Sequence, residues 1–419
     1  MAGHPFKRAS LLFANFFFIM LAYYQIKPAS RSLFIGQLGA DRLPYVWIGT
    51  ALFLGLIIGG YHRLVGRYSR LRLVLGSCVL SMMMLVGFRA LLTTDSAAAA
   101  LAFYVFVDIF GVVLVEQFWS LTNTLYSSEQ GKRWYGFLGT GGVLGGLLGA
   151  AAAMLIVKHT SLTTPDLLLV AVGILGLVVT VNLALARYGV FEAAANPRHT
   201  ERPAPRQLLR DRYLMLVGAT VLLAQVAEPL VEYGFMKMVE LNYTELDART
   251  AFISWLFSTM GLVSILVNLA ITPVVHRYLG VIAGLMTQPL LLFFCTFGFI
   301  LSPTLVFGSA MKVSDRGLSY SINRASKELL YIPIHPHLSY RAKAWIDMFG
   351  YRVFKVLGAV LILLLTGWLP VDAGLVGLGW LTMSVCVLWL VTVSYLAREY
   401  RGLWPHPASA VKAAAVQAA

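Results

Sequence analysis

Runs of about 20 mostly apolar residues recur from one end of this chain to the other, and each is long enough to cross the hydrocarbon core of a bilayer. No water reaches that core, so a run of this kind satisfies its backbone N–H and C=O groups internally, as a helix. Twelve spans are expected, at roughly 9–27, 44–62, 73–93, 97–126, 134–157, 166–188, 213–239, 250–275, 280–300, 303–330, 345–366 and 374–396. The expected fold class is therefore an all-α polytopic membrane protein with twelve transmembrane helices. A composition of 58% hydrophobic and 12% charged residues in 419 is far from a soluble average and agrees with this. Basic residues precede the first apolar run as in a signal peptide, but no small-residue cleavage site follows, so it reads as a retained first span. Cys78, Cys295 and Cys386 each sit alone in an apolar run, which points to packing and to neither a disulfide framework nor a metal site.

The formal net charge of +14 is explained by where the bases fall. With the N-terminus in the cytoplasm, the inner segments collect 21 basic residues, from Lys7 and Arg8 to Lys412, while the outer segments hold Lys27, Arg31, Arg42, Lys158 and Arg249. That asymmetry is the positive-inside rule, and it places both termini in the cytoplasm. No basic soluble domain, zinc motif or aromatic platform is left over to suggest a nucleic-acid partner. The longest polar interruption, GVFEAAANPRHTERPAPRQLLRDR from Gly189 to Arg212, is rich in Pro, Arg and Ala and reads as a linker. The expected organisation is a six-helix bundle over 1–188, a basic cytoplasmic linker over 189–212, a second six-helix bundle over 213–400 and a tail over 401–419. Six plus six spans with a central linker is the plan of the major facilitator fold, where substrate binds at the membrane midplane. The segment GGYHRLVGRYSRLR loosely resembles that superfamily's second loop, without its usual Asp.

Span 5 contains GFLGTGGVLGGLLGAAAA. The pairs Gly142 with Gly146 and Gly145 with Gly149 are small residues four apart, which lets a second helix approach closely. A phosphate loop is excluded because no Gly-Lys-Ser/Thr end follows.

Charged residues inside spans cost several kcal/mol unless paired or wet, so they mark a cavity or a buried contact. In span 10, Lys312, Asp315, Arg316, Ser319, Asn323 and Lys327 share one face of a straight helix. In span 11, Arg352 and Lys355 lie one turn apart, and spans 10 and 11 together carry more cations than anions. Such a surplus suits an anion held by Arg forks and Lys point charges. Span 7 offers Glu228 and Glu232, loosened by Pro229, with Lys237 further along. In span 4, Asp108 and Glu116 fall within about 80° of Trp119 and Asn123 around the axis. In span 1, Lys27 and Arg31 follow Tyr23 and Tyr24 and either meet an anion or snorkel to the interface. The substrate-binding candidates are thus Lys27, Arg31, Lys312, Arg316, Arg352 and Lys355. The coupling or ion-pair candidates are Asp108, Glu116, Glu228, Glu232, Lys237 and Asp315. The alternative at every one of these positions is a neutral network that only specifies helix packing.

The strings YYQIKPASRSLFIGQLGADRLPYVWI, EQFWSLTN with EQGKRWYGFLGTGG, LVEYGFMK, KVSDRGLSYSINRASKELLYIPI and RAKAWIDMFGYRVFKVLG resemble the ADP/ATP translocase family of bacteria and plastids. The match is densest over 311–358, where Lys312 and Asp315, then Glu328, Leu329, Tyr331 and Pro333, then Arg341, Ala342, Lys343 and Asp347 follow the family's pattern. The resemblance implies a twelve-span nucleotide exchanger in which Lys27 or Arg31, Asp108, Glu232 and Lys355 matter for transport. Phe-Trp-Ser-Leu-Thr-Asn departs from the family's Phe-Trp-Gly-Phe-Ala-Asn, the acid before it is offset, and the chain is shorter than typical exchangers.

The expected function is secondary active transport by alternating access, of an anionic phosphorylated solute, with ATP/ADP exchange as the leading case. The expected location is a bacterial inner membrane. The expected partners are that solute and the lipid bilayer, and a monomer is compatible with the sequence. A proton-coupled symporter or exporter of another metabolite is the alternative, and a non-transporting membrane partner is the second. No HExxH, Walker or Gly-x-Ser-x-Gly pattern is present, so no catalytic residue, cofactor or metal is expected.

Overall fold

The computed structural model of the chain describes residues 5–65, 68–126, 128–193, 211–334, 346, 350–367 and 370–402. Twelve helical elements carry the fold among them. They are α1 (Pro5–Leu38), α2 (Leu43–Val65), α3 (Arg70–Leu91), α4 (Ala97–Leu125), α5 (Ser128–His159) and α6 (Leu167–Arg187). After a single-turn helix at Val190–Ala193 come α7 (Arg212–Asn242), α8 (Leu246–Tyr278) and α9 (Gly280–Leu301). Then follow α10 (Leu305–Leu318, continued as Arg324–Leu330), α11 (Tyr351–Thr366) and α12 (Val371–Gly402). The described residues contain no strand.

Nine of these helices are long and apolar enough to cross a bilayer among the described residues. Of the other three, α10 carries Lys312, Asp315 and Arg316, and α11 is described over 16 residues, with 347–349 before it outside the described residues. The expectation for the first span ended at residue 27, yet α1 runs on through Pro28 to Leu38, 34 residues in all. Its neighbours bury Pro28, Ala29, Ser30 and Arg31, and this packing outweighs the one backbone bond that the proline removes.

Helix starts are set locally. Ser96 Oγ accepts the Ala99 N–H at the head of α4, and Thr304 Oγ1 accepts that of Phe307 at the head of α10. Before α6, Asp166 Oδ2 accepts from the Thr163 N–H at 2.8 Å, while Arg89 of α3 grips Asp166 Oδ1 at 2.7 and 2.9 Å. Inside α8 and α10 the α pattern gives way to π-helical turns, Val267–Ile271 and Ser319–Asn323. Such wide turns gather at functional positions.

The chain forms two compact units. Unit 1 comprises Met1–Thr200 with Phe235–Val263, and unit 2 comprises Glu201–Gly234 with Ser264–Ala419. The boundaries cut α7 after Gly234 and α8 after Val263, so both helices contribute to both units. Unit 1 is built round α1, which packs on α4, α5 and α6. Phe16 stacks on Phe118 at 4.4 Å between ring centroids, within a core that includes Leu12, Ile19, Phe103, Phe110 and Leu114.

The glycines of α5 face α1. A Cβ at Gly145 would overlap the Phe17 carbonyl oxygen, and one at Gly149 would lie 2.6 Å from that of Leu21. Backbone cannot retreat as a side-chain end can, so Gly149→Leu is expected to separate α1 from α5. Overpacking costs ~1–3 kcal/mol when side chains yield and more when they do not. The check is size-exclusion chromatography in detergent: Gly149→Leu should lose its monodisperse peak. Gly173→Leu, whose Cβ meets open space, should keep it.

Unit 2 packs α9 between α10 and α12. Its core joins Tyr213, Leu214, Val217, Leu285, Leu330, Trp389, Val393 and Leu396, and the Tyr213 hydroxyl donates to the Leu330 carbonyl at 2.8 Å.

Candidate functional site

In unit 2, α7, α10 and α11 bring charge together at one place. Lys312, 2% exposed, is ion-paired with Glu232. One turn along α10, Arg316 is ion-paired with Glu228. Glu228 also takes Lys355 Nζ of α11 at 3.1 Å, so a single carboxylate holds two bases. Pro229, which follows it, packs against α11: a Cβ at Gly358 would meet the Pro229 ring and lie 2.8 Å from the Val226 carbonyl. The side chain of Lys355, one turn before Gly358, thereby reaches Glu228.

Asp315 lies between the two bases of α10 and is 2% exposed. Gln288 of α9, fully buried, donates its Nε2 to the Asp315 carbonyl oxygen at 3.0 Å and to Asp315 Oδ1 at 3.1 Å. Gln288 Oε1 accepts Asn323 Nδ2 at 2.5 Å. One amide therefore bridges the π-helical turn, from Asp315 four residues before its start to Asn323 at its end. The other carboxylate oxygen, Asp315 Oδ2, has no hydrogen-bond donor among the described residues, and Arg316 Nε stands 3.7 Å away. Around Glu228 and Glu232, the described cluster thus sets Lys312, Arg316 and Lys355 against Glu228, Glu232 and Asp315. Within this cluster the two acids of α7 face the bases Lys312, Arg316 and Lys355, and Arg352 is not among them.

Arg352 is half-buried and makes no ion pair among the described residues. Lys327 bonds the Tyr351 hydroxyl at 3.1 Å. The straight-helix stripe that extended to Lys327 is interrupted by the π-helical turn, which shifts later residues by roughly 100° around the axis. Arg341, Lys343 and Asp347, with His335 and His337, lie outside the described residues.

The α1 and α4 candidates form a second cluster in unit 1. Arg31, 6% exposed, meets Asp108 Oδ1 at 2.5 Å, donates to Ser30 Oγ at 3.0 Å and lies 4.2 Å over the Tyr104 ring. Tyr104 is itself fixed by Trp47 Nε1 at 2.8 Å. Lys27 Nζ is 5.1 Å from the ring centres of both Tyr23 and Tyr24 and 5.3 Å from that of Phe257. Glu116 stands apart on an exposed face of α4, away from the Arg31–Asp108 pair. Lys237 pairs with Asp41 at 2.8 Å and Glu240 at 3.1 Å, also within unit 1.

Sequence reasoning passed over Gln288. The available signal was a lone amide in the apolar run GLMTQPLLLFF, since a buried amide demands partners. Gln288→Leu is expected to lower the melting temperature, at ~1–3 kcal/mol for the acceptors and donor left unmet. The double variant Gln288→Leu/Asn323→Leu should be less destabilised than the sum of the single variants, because one of the broken bonds is shared.

Comparison with known proteins bears on the class of substrate. The model of a family described as TLC ATP/ADP transporter matches residues 76–400. ADP,ATP carrier protein 1 of Chlamydia pneumoniae is 22% identical over 71% of this chain and 67% of its own length. ADP,ATP carrier protein 4 of Rickettsia conorii is 24% identical over 71% of this chain and 68% of its own length. The matched stretch thus spans about two thirds of these relatives. Among solved structures, the nucleoside transporter NupG aligns over 94% of this chain and 99% of its own, at TM-score 0.58 and 12% identity. A bacterial homologue of the iron transporter ferroportin aligns over the same shares at TM-score 0.63 and 11% identity. At such identities the shared feature is the fold, that of major-facilitator-type transporters.

Proposed function

The chain belongs to the TLC ATP/ADP transporter family, and from that premise we propose that it exchanges adenine nucleotides, ATP against ADP, across a bacterial inner membrane. It is a multi-pass membrane transporter and not an enzyme. In this reading all twelve helices span, both termini face the cytoplasm, and two six-helix halves over 1–188 and 213–400 alternate access. The observation that carries the substrate class is Glu228, one carboxylate shared by Arg316 and Lys355 beside the Lys312–Glu232 pair. Bases kept charged and oriented by acids in the empty carrier can be handed over to phosphate oxygens, whose charge takes the place of the carboxylates. Arg352 adds positive charge on the same helix as Lys355. Lys27 and Arg31 are the proposed substrate bases of unit 1 by themselves, and there Asp108 holds Arg31.

Exchange follows if the charge-compensated cluster is the form that reorients with lowest barrier, since a bound anion leaves as another arrives. Counterflow in proteoliposomes tests the reading. Vesicles loaded with ADP should accumulate labelled ATP, and vesicles loaded with phosphate or an unrelated anion should not. Accumulation driven by a pH gradient without internal nucleotide would instead favour the proton-coupled alternative.

A further inference from the structure

Within unit 2, the π-helical turns Val267–Ile271 of α8 and Ser319–Asn323 of α10 pack against each other. Side chains brace both. Thr272 Oγ1 donates to the Val267 carbonyl at 3.0 Å, Ser321 Oγ donates to that of Gly317 at 2.7 Å, and Gln288 holds Asn323. Each turn also presents a polar side chain away from the packed interior: Asn268 is exposed, and Tyr320 is 49% exposed. The amide of Asn268 bonds no described residue, and in hydrocarbon it would stay unmet, so its face meets water. Tyr320 borders the charged cluster. Arg316 Nη1 lies 3.5 Å from its hydroxyl, and the guanidinium carbon lies 5.8 Å from its ring centre.

We infer that Tyr320 and Asn268 form the site for the purine ring of the substrate, and that the base they select is adenine. The inference rests on the nucleotide reading and adds to it the residues that read the base. An exposed tyrosine ring beside a phosphate-binding arginine is a flat surface on which a base stacks. The 5.8 Å from Arg316 to the Tyr320 ring is a span that a ribose bridges between the α-phosphate and the base. The Asn268 carboxamide supplies one donor and one acceptor side by side, which match N7 and the N6 amino group of adenine. Guanine and hypoxanthine offer O6 and N7 there, two acceptors, so the amide oxygen would face a second oxygen. Stacking thus gives affinity for any purine, and the amide separates one purine from another. Because both residues stand on braced turns, ring and amide are presented without a loop to order.

Equilibrium binding to the detergent-solubilised protein tests this, with ATP, ITP and inorganic tripolyphosphate as probes. Tripolyphosphate carries the charge without the base, so it reports on the cationic cluster alone and on whether each variant is folded. The unaltered protein should bind ATP about tenfold more tightly than ITP. Tyr320→Leu should weaken ATP binding about tenfold and leave tripolyphosphate unchanged. Tyr320→Phe keeps the ring and should bind ATP as the unaltered protein does. Asn268→Leu should bring ATP down to the affinity of ITP, again with tripolyphosphate unchanged. ATP affinity unchanged in Tyr320→Leu or in Asn268→Leu would overturn the base site and leave the nucleotide reading standing. So would an equal loss of ATP and tripolyphosphate, or equal affinity of the unaltered protein for ATP and ITP. Failure of the unaltered protein to bind ATP at all would remove the nucleotide reading and this inference with it.

Discussion

Replacing Lys312 by methionine is expected to abolish nucleotide exchange and to lower the thermal stability of the protein. The ammonium is almost wholly buried and paired with Glu232, whose side chain is 15% exposed. Methionine fills the same volume and leaves that carboxylate without its base. Removing one partner of a buried pair costs about 3–5 kcal/mol, because the survivor keeps its desolvation penalty. Stability and function separate in the exchanged pair Lys312→Glu/Glu232→Lys. It restores opposite charges in the same space, so the melting temperature should largely recover. Exchange should not recover, because the base no longer sits on α10 beside Arg316, where a phosphate would meet both. Recovery of exchange along with stability would assign Lys312 to the scaffold and remove it from the anion site.

The second large effect is expected at Glu228. Its carboxylate competes with the proposed phosphate for Arg316 and Lys355, so Glu228→Gln should free both bases and tighten binding of the anion. KM for ATP should fall, by about tenfold if the lost competition is near 1.4 kcal/mol. Vmax should fall further, because the empty carrier then carries two uncompensated bases through reorientation and the bound anion leaves slowly. A stopped-flux measurement of KM and Vmax in proteoliposomes reads both. A raised KM with unchanged Vmax would mean that Glu228 only shapes the site. Lys355→Ala supplies the opposite sign: KM should rise while Glu228 keeps Arg316.

Both predictions concern residues that can be picked out on the chain, for a simple reason. A charge within an apolar run is so unfavourable that its presence alone announces a partner or a ligand. Lys312, Asp315, Arg316 and Lys355 stand out in this way, as do Glu228 and Glu232. What pairs with what is another matter. Asp108 could have answered any base, and it is Arg31 of α1 that lies beside it. Glu116 shares a face with Asp108 on a helical wheel yet is exposed. Two residues on one face but two turns apart need not meet the same neighbour, and no periodicity encodes where that neighbour ends. The amide of Gln288 escaped notice because it forms no pattern along the chain, and Arg249 stood out only as one base of an outer segment.

The apolar runs by themselves determine that this protein is a set of membrane-spanning helices, since backbone in hydrocarbon has so few ways to satisfy its polar groups. The small residues of α5 likewise mark, without any structure, a face where another backbone comes close. Tertiary structure alone decided the rest. It set the wide turn at Ser319–Asn323 that breaks the charged stripe, the sharing of Glu228 between α10 and α11, and the clasp on Lys237. Each depends on the distance and rotation between helices far apart in the chain. Those are fixed by how whole surfaces pack, and no local run of residues carries that information.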